Sequence, residues 1–301
     1  MLKPLLVILL GPTAVGKTSL AIALAKRFNT VIFSADSRQL YKEIPIGTAQ
    51  PTPEEIQEVA HFFIASSSIN EHIDAGRYGK EARELLISEF KKHAIIIMAG
   101  GSGLYMDAVI NGFDELPDAN PTIRAELNLE FQEKGISVLQ DELKKLDPIY
   151  FAQVDKHNPA RLMRAIEICR LSEKKYSELR LGKAESNAFE VLKIGLDLPR
   201  EELYARINNR VEVMFENGLE EEARSVFPYR KMNALQTVGY KELFDYFDGH
   251  LTKEKAIELI KQHSRNYAKR QLTWWRRDTA ITWFNPTQLK EIEILISQKV
   301  I

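Results

Sequence analysis

Leu5-Leu6-Val7-Ile8-Leu9-Leu10-Gly11-Pro12-Thr13-Ala14-Val15-Gly16-Lys17-Thr18 is the stretch whose reading decides the fold. Six apolar residues run into a Gly-Pro pair, the pattern of a short strand buried on both faces of a parallel sheet. Gly11 to Thr18 then matches the phosphate-loop pattern in full. Ser19 to Phe28 follows as a helix, with Leu20, Ala23, Leu24 and Phe28 along one side. Strand, loop and helix in that order are the context the motif needs. The two glycines let the backbone curl so that successive N–H groups point at an anion. The helix N-terminus adds a partial positive charge. Lys17 adds a full one, and the Thr18 hydroxyl suits Mg2+. A chance match in a tight strand-to-helix turn is the alternative.

Outward from this loop, Val31 to Ala35, Ala94 to Ala99, Val191 to Asp197 and Ile281 to Phe284 read as further strands, separated by helical patterns. The alternation predicts an α/β fold with a mainly parallel sheet flanked by helices, of the P-loop NTPase-like kind. The stretch 118–186 breaks the alternation. It is charge-rich, helical in pattern and without a convincing strand, so it reads as a helical insertion domain within a core of 1–117 and 187–301. Its expected borders are Leu116-Pro117 and Ser186-Asn187. Glu201 to Arg277 is helical again, with breaks expected at Phe227-Pro228 and Asp248-Gly249.

The 301 residues suffice for one large domain or two smaller ones, and 45% apolar with 28% charged residues is an ordinary globular balance. A net charge of −1 gives no overall basic field, so contact with nucleic acid requires local patches. The single cysteine, Cys169, has no internal partner, which fits a reducing cytosol. Leu5 to Leu10 is too short for a membrane span or a signal sequence, and no other run approaches spanning length. A cytoplasmic protein without membrane contact is expected.

A phosphate loop does not say whether its ligand is ATP. Nucleotide hydrolases usually carry a second strand ending in an acid that holds the metal. Here Ala94 to Ala99 runs into Gly100-Gly101-Ser102-Gly103 with no carboxylate, whereas Val31 to Ala35 ends in Asp36. Asp36 is either a functional carboxylate or a turn residue, and the glycine-rich turn is either functional or only a tight entry to the helix from Leu104. Arg206 and Arg210 share one helix face. One of them reaches the loop, or both pair with Glu201, Glu202 or Glu212. Lys261 to Arg277 holds six cations and no acid, interleaved with Tyr267, Trp274 and Trp275. That is an RNA-binding face or a solvated basic face over core tryptophans. A smaller patch, His157, Arg161 and Arg164, lies in the insertion.

Taken together, GPTAVGKT at 11–18, Asp36-Ser37-Arg38-Gln39, GTAQP at 47–51, GGSGLY at 100–105, TVGYKE at 237–242 and AKRQLTW at 268–274 occur in that order over almost the whole chain. The ordered set resembles the tRNA dimethylallyltransferases. The resemblance implies transfer of a dimethylallyl group from dimethylallyl diphosphate to N6 of the adenosine 3′ of the anticodon in tRNA, releasing diphosphate. It implies that the phosphate loop holds the donor's diphosphate with Mg2+, and that Arg210 binds the same anion. Asp36 corresponds to the general base and Ser102 to a hydroxyl near the leaving oxygen. Contact with the tRNA anticodon stem-loop is implied for Asp36, Ser37, Arg38, Gln39 and Ser102. It is implied too for Arg124, Ala160-Arg161-Leu162-Met163-Arg164, Gln236-Thr237-Val238-Gly239-Tyr240-Lys241 and Lys269-Arg270-Gln271-Leu272-Thr273-Trp274-Trp275-Arg276. A monomer is expected. Two departures stand out: Ser102 replaces a usual threonine, and Gln50 stands where lysine is common. A small-molecule kinase and a nucleotide-controlled RNA-binding module are the rival readings. The first requires ATP turnover, and the second has no need of Asp36 or the GGSG turn.

Overall fold

The computed structural model describes residues 3–112, 116–180 and 188–299. The chain falls into two compact units, Met1–Ile110 with Ser186–Ile301, and Asn111–Glu185. The expected border at Ser186-Asn187 lies outside the described residues.

The first unit is built on strands β1 (Leu5–Leu10), β2 (Ile32–Ala35), β3 (His61–Phe62), β4 (Ile95–Gly100), β5 (Glu190–Leu196) and β6 (Thr282–Phe284). They form one sheet in the order β3-β2-β4-β1-β5-β6, and every pairing is parallel. β1 lies centrally, with Val7 opposite Ile97 on one side and Leu192 on the other. Every one of its residues is buried, because helices cover both faces of the sheet. Leu5, Val7 and Leu9 pack with Leu20 and Leu24 of α1 (Lys17–Arg27), while Leu6, Ile8 and Leu10 pack into the opposite layer with Tyr105 and Met106. β3 was not expected. Two residues of an edge strand carry no period to read.

Helices α2 (Pro53–Glu58), α3 (Ala75–Glu89) and α4 (Gly103–Asn111) complete the first half. α2 starts at a capping box, with Thr52 accepting from the Glu55 N–H and Glu55 from the Thr52 N–H. The second unit consists of α5 (Pro121–Lys134), α6 (Ile136–Leu146), α7 (Pro148–Gln153), α8 (Pro159–Ser172) and α9 (Tyr176–Leu179) around Leu127, Leu139, Leu143, Leu162 and Ile166. No strand occurs among its described residues. After β5 come α10 (Arg200–Glu216), α11 (Leu219–Val226), α12 (Tyr240–Phe247), α13 (Lys253–Trp275) and, beyond β6, α14 (Leu289–Ser297). The breaks expected near Phe227 and Asp248 match the ends of α11 and α12. A further break separates α10 from α11, where Gly218 takes φ 94°.

The connection from β1 leads to β2, beyond β4, whereas the chain leaving β4 returns at β5, on the far side of β1. The two connections run in opposite directions from neighbouring strands. The carboxyl ends of β1 and β4 are therefore the switch point where doubly wound sheets bind ligands.

Candidate active site

At that switch point β1 passes through Gly11 into α1. Gly16 caps α1 with φ 105°, a left-handed conformation that a side chain would strain. No side chain caps this helix and no acid sits in its first turn. Its leading N–H groups lack intrahelical acceptors and are left for an anion.

The loop opens on a cavity of about 500 Å³. Its wall includes Thr13, Ala14, Gly16, Lys17 and Thr18 from the loop, Asp36 and Gln39 after β2, and Thr48 to Pro51. Gly100 at the end of β4 and Gly101 after it, Arg206 and Arg210 of α10, and Tyr267 and Gln271 of α13 close it. Lys17 Nζ donates to the carbonyls of Gly11 (2.7 Å) and Pro12 (2.8 Å). Burial and the nearby Arg210 push its ammonium down to about 7, against the opposing pull of Asp36. Arg210 Nη1 donates to Thr13 Oγ1 at 3.0 Å; burial lowers its guanidinium, again opposed by Asp36, and it stays charged. The two arginines of α10 thus divide between the sequence alternatives. Arg210 reaches the loop, and Arg206 pairs with Glu202 at 2.8 Å while also edging the cavity. Thr18 lines the wall. Among the described residues no group of three or more His, Cys, Asp or Glu is gathered to hold a metal.

Asp36 stands directly after β2. Its Oδ1 accepts the Arg38 N–H at 2.9 Å, whereas Oδ2 has no hydrogen-bond partner among the described residues and lies on the cavity side toward Gly101. Ser102 is beside it. Its N–H bonds to Ala35 O at 3.1 Å, and its Oγ accepts from Ser37 N (2.9 Å) and donates to Ser37 Oγ (3.2 Å). The Ser102 hydroxyl therefore braces the turn after β2, and Ser102 is not among the residues that wall the main cavity.

Ser37, Arg38 and Gln39 are held by the protein. Arg38 Nη1 donates to Asn233 O at 2.8 Å. Gln39 Nε2 donates to Ala49 O at 2.8 Å and its Oε1 accepts from Ser34 Oγ at 3.0 Å, so its amide supports the 48–51 loop. That loop is gripped from α11: Glu222 accepts from the N–H groups of Ile46 (2.7 Å) and Gly47 (2.8 Å) and from Tyr240 Oη (2.5 Å). A smaller recess of about 120 Å³ shares Thr13, Asp36, Thr48, Ala49, Arg210 and Tyr267 with the main cavity; Ile207, Val211, Met214, Leu219, Val238 and Ile260 give it an apolar side, and Arg38, Thr237 and Ser264 also line it.

The other tRNA-contact candidates separate by exposure. On α8, Ala160 and Arg161 are exposed, whereas Leu162 and Met163 are buried in the core of the second unit. Arg124 and Arg164 converge on buried Glu167, at 2.7 and 2.9 Å. Burial alone would raise that carboxyl, but the bonds from Arg164, Arg124 and the Asn120 N–H hold it below its usual range. Both arginines are thus ion-paired to Glu167 within the second unit, with their side chains still partly exposed. Gln236 donates to Arg230 O at 2.7 Å; Thr237, Val238 and Gly239 line the smaller recess; Tyr240 is buried and Lys241 exposed.

On α13, Lys269, Arg270, Thr273 and Trp274 are exposed, while Leu272 is half-buried and Gln271 and Trp275 are buried. Lys269 and Arg270 have no carboxylate partner among the described residues, and Arg270 lies 5.7 Å from the Tyr267 ring. Lys261 is held by Glu212 (2.6 Å) and Glu258 (3.2 Å), Arg265 by Asn208 (2.6 Å), and Arg276 by Asp197 (2.9 Å). The helix is thus part free basic face and part ion-paired face, with one tryptophan exposed and one in the core.

Two contributors had no local sequence signal: the Glu222 grip on the 46–47 backbone and the smaller recess, whose apolar side comes mainly from α10, α11 and α13. Both assemble residues far apart in the chain.

With this geometry, the relatives are informative. The profile of the family described as IPP transferase matches residues 39–278. A tRNA dimethylallyltransferase of Cytophaga hutchinsonii is 48% identical over 294 residues, covering 98% of this chain and 97% of the relative. A tRNA dimethylallyltransferase 2 of Parabacteroides distasonis is 45% identical, covering 98% and 99%. Among solved structures, the full-length tRNA isopentenylpyrophosphate transferase of Bacillus halodurans superposes with a TM-score of 0.74 at 36% identity, covering 99% and 97% of the two chains. A eukaryotic dimethylallyltransferase acting on tRNA gives 0.79 at 25% identity, covering 98% and 77%. On the match of its own sequence and fold, the chain belongs to the IPP transferase family.

Proposed function

We propose that this chain transfers the dimethylallyl group of dimethylallyl diphosphate to N6 of the adenosine 3′ of the anticodon in tRNA. One observation carries the reading. A cationic anion cradle, Lys17 and Arg210, and a carboxylate with one unbonded oxygen, Asp36, face the same cavity, and a recess with an apolar side opens beside them. A donor with an anionic head and a five-carbon apolar tail matches that pairing. A sugar or amino-acid substrate leaves the apolar side of that recess, Ile207, Val211, Met214, Leu219, Val238 and Ile260, without a matching group.

The donor's C1–O bond breaks as its C1 bonds to adenine N6, and the diphosphate leaves with the bond's electron pair. Negative charge grows on the leaving oxygen, where the N–H groups of α1, Lys17 and Arg210 oppose it. Each such charge-assisted hydrogen bond contributes roughly 1.5–3 kcal/mol. N6 sheds its proton to Asp36 Oδ2, a positioned base of the kind that contributes on the order of 10²–10⁴ in rate. The Thr18 hydroxyl together with the donor's own oxygens suits Mg2+, which is commonly held by few side chains plus substrate phosphates. When bound it would neutralise part of the diphosphate charge. The exposed stretch Lys269, Arg270 and Trp274 supplies phosphate contacts and a stacking surface for the anticodon stem-loop. Arg161 and Ala160 offer a smaller surface on the second unit. The chain acts in the cytoplasm as a monomer; none of the described helices is long and apolar enough to cross a membrane.

Incubation with labelled dimethylallyl diphosphate and total tRNA tests the reading. Label is expected in RNA, at an N6-modified adenosine. Unlabelled RNA, or ATP turnover with a small-molecule acceptor in its place, overturns it in favour of a kinase.

A further inference from the structure

Gln271 was expected among the RNA-contact residues of α13, yet it is only 7% exposed. Its carboxamide points inward beside Tyr267 and makes two bonds to backbone groups. Oε1 accepts the Thr13 N–H at 2.9 Å, and Nε2 donates to Gly101 O at 3.0 Å. Thr13 belongs to the phosphate loop and Gly101 to the turn after β4. No direct backbone hydrogen bond joins these two loops in the structure. Gln271 is therefore the side chain that spans them.

Both of its partners lead to reacting groups. On one side, Thr13 Oγ1 accepts from Arg210. On the other, Gly101 precedes Ser102, whose Oγ holds the Ser37 N–H next to Asp36. A methyl group on Gly101 would stand 2.5 Å from Gln271 Nε2 and 3.5 Å from Asp36 Oδ2, so the carboxamide and the candidate base meet at the same point of the turn. The Thr13 N–H is also withdrawn from the anion cradle by this bond, which sets which loop amides remain for the diphosphate.

We infer that Gln271 is a positioning residue for the transfer, one that sets the distance between the bound diphosphate and the base Asp36 by tying the phosphate loop to the Gly101 turn. The inference rests on the proposed prenyl transfer. It also explains why a buried amide sits on the helix that carries Lys269, Arg270 and Trp274. Glutamine suits the task because it presents one acceptor and two donors at the end of a two-methylene arm. Asparagine has the same groups but is one methylene too short to span both loops. Methionine has the length but neither strong bond.

The test uses the full chain and three variants, Gln271→Asn, Gln271→Met and Gln271→Glu. Donor titration counts competent sites, so turnover is expressed per donor-binding chain and a folding defect is removed from the comparison. Wild-type transfer to tRNA in the same assay tests the parent reading by itself. For Gln271→Met and Gln271→Asn, kcat per competent site is expected to fall roughly 10–100-fold, the scale of an ångström-sized misplacement. Donor and tRNA Kd are expected to stay within about threefold, as an order-of-magnitude allowance for binding groups left in place. Gln271→Glu keeps the Thr13 bond but sets a carboxylate against the Gly101 carbonyl, so it should lose as much kcat as the asparagine variant. The idea is overturned if kcat per competent site stays within twofold of wild type. It is equally overturned if the loss lies wholly in KM.

Discussion

The chain carries two sets of cations near its candidate site, and they are built in opposite ways. In the cradle, Lys17 and Arg210 are turned onto the loop itself, with Gly11 O, Pro12 O and Thr13 Oγ1 as their partners. Neither forms an ion pair among the described residues, although Asp36 lies within electrostatic reach of both. On α13, Lys261 and Arg276 are tied to carboxylates while Lys269 and Arg270 stand free in water. A half-buried cation without a counter-ion is costly unless an anion arrives, so the cradle is suited to receive one. A free surface cation costs almost nothing, and it is useful mainly for long, salt-sensitive contacts such as a nucleic-acid backbone. The same residue types thus perform specific and diffuse anion binding according to burial.

The largest expected effect tests the carboxylate in the cradle. Asp36→Asn should lower kcat and kcat/KM together by roughly 10²–10⁴, with donor and tRNA affinities within a few-fold. It should also lower Lys17 further, because Asp36 is the group that raises it. If donor affinity collapses and is restored by high magnesium, Asp36 serves the metal rather than the proton. Near-normal turnover removes both roles.

Next comes the cradle's lysine. Lys17→Ala should weaken donor binding roughly 10–100-fold, the worth of one charge-assisted bond, and leave tRNA binding unchanged. Lys17 sits at about 7 in the structure, and the donor's anion favours its charged form. Donor binding should therefore take up a proton above pH 7, and affinity should fall by up to about tenfold per pH unit there. Titrating donor Kd from pH 6 to 9 in wild type and in Lys17→Ala checks this: the slope should vanish in the variant. The same shift has a stability consequence. The unfolded lysine keeps its proton to well above 7, so the cost of holding this group in the fold is full below about 7 and is relieved between about 7 and 10.5, where stability rises with pH.

A smaller effect is expected on the helix face. Lys269→Ala with Arg270→Ala should weaken tRNA binding and make its salt dependence shallower by roughly 1.5–2, about one for each phosphate contact. Donor affinity should hardly move. A double variant that binds tRNA like wild type across a salt series turns this face into plain solvated surface.

The smallest effect sharpens the contrast within α13. Lys261 is engaged by Glu212 and Glu258, so Lys261→Ala should change tRNA Kd less than twofold, as suits a surface ion pair. A loss as large as that of the Lys269 and Arg270 pair would mean that ion pairing on this helix does not decide which cations meet RNA.

Sequence alone determined the parts of this protein that depend on short-range chemistry. The apolar run Leu5 to Leu10, the loop Gly11 to Thr18 and the acid closing the next strand were legible because strand burial, backbone curl and a helix start are set by neighbouring residues. The helical character of the described part of 118–186, residues 118–180, was legible for the same reason. Tertiary structure alone decided which cations are free, because Glu212 and Asp197 reach α13 from other elements. It decided that Trp275 is core while Trp274 is exposed, that Arg124 and Arg164 close on Glu167, and that Ser102 braces Ser37. It also set Gln271 across Thr13 and Gly101, residues separated from it by 258 and 170 positions. Such contacts follow from how α10, α11 and α13 pack over the carboxyl edge of the sheet. No local pattern encodes them, since each partner's own neighbours are compatible with many packings.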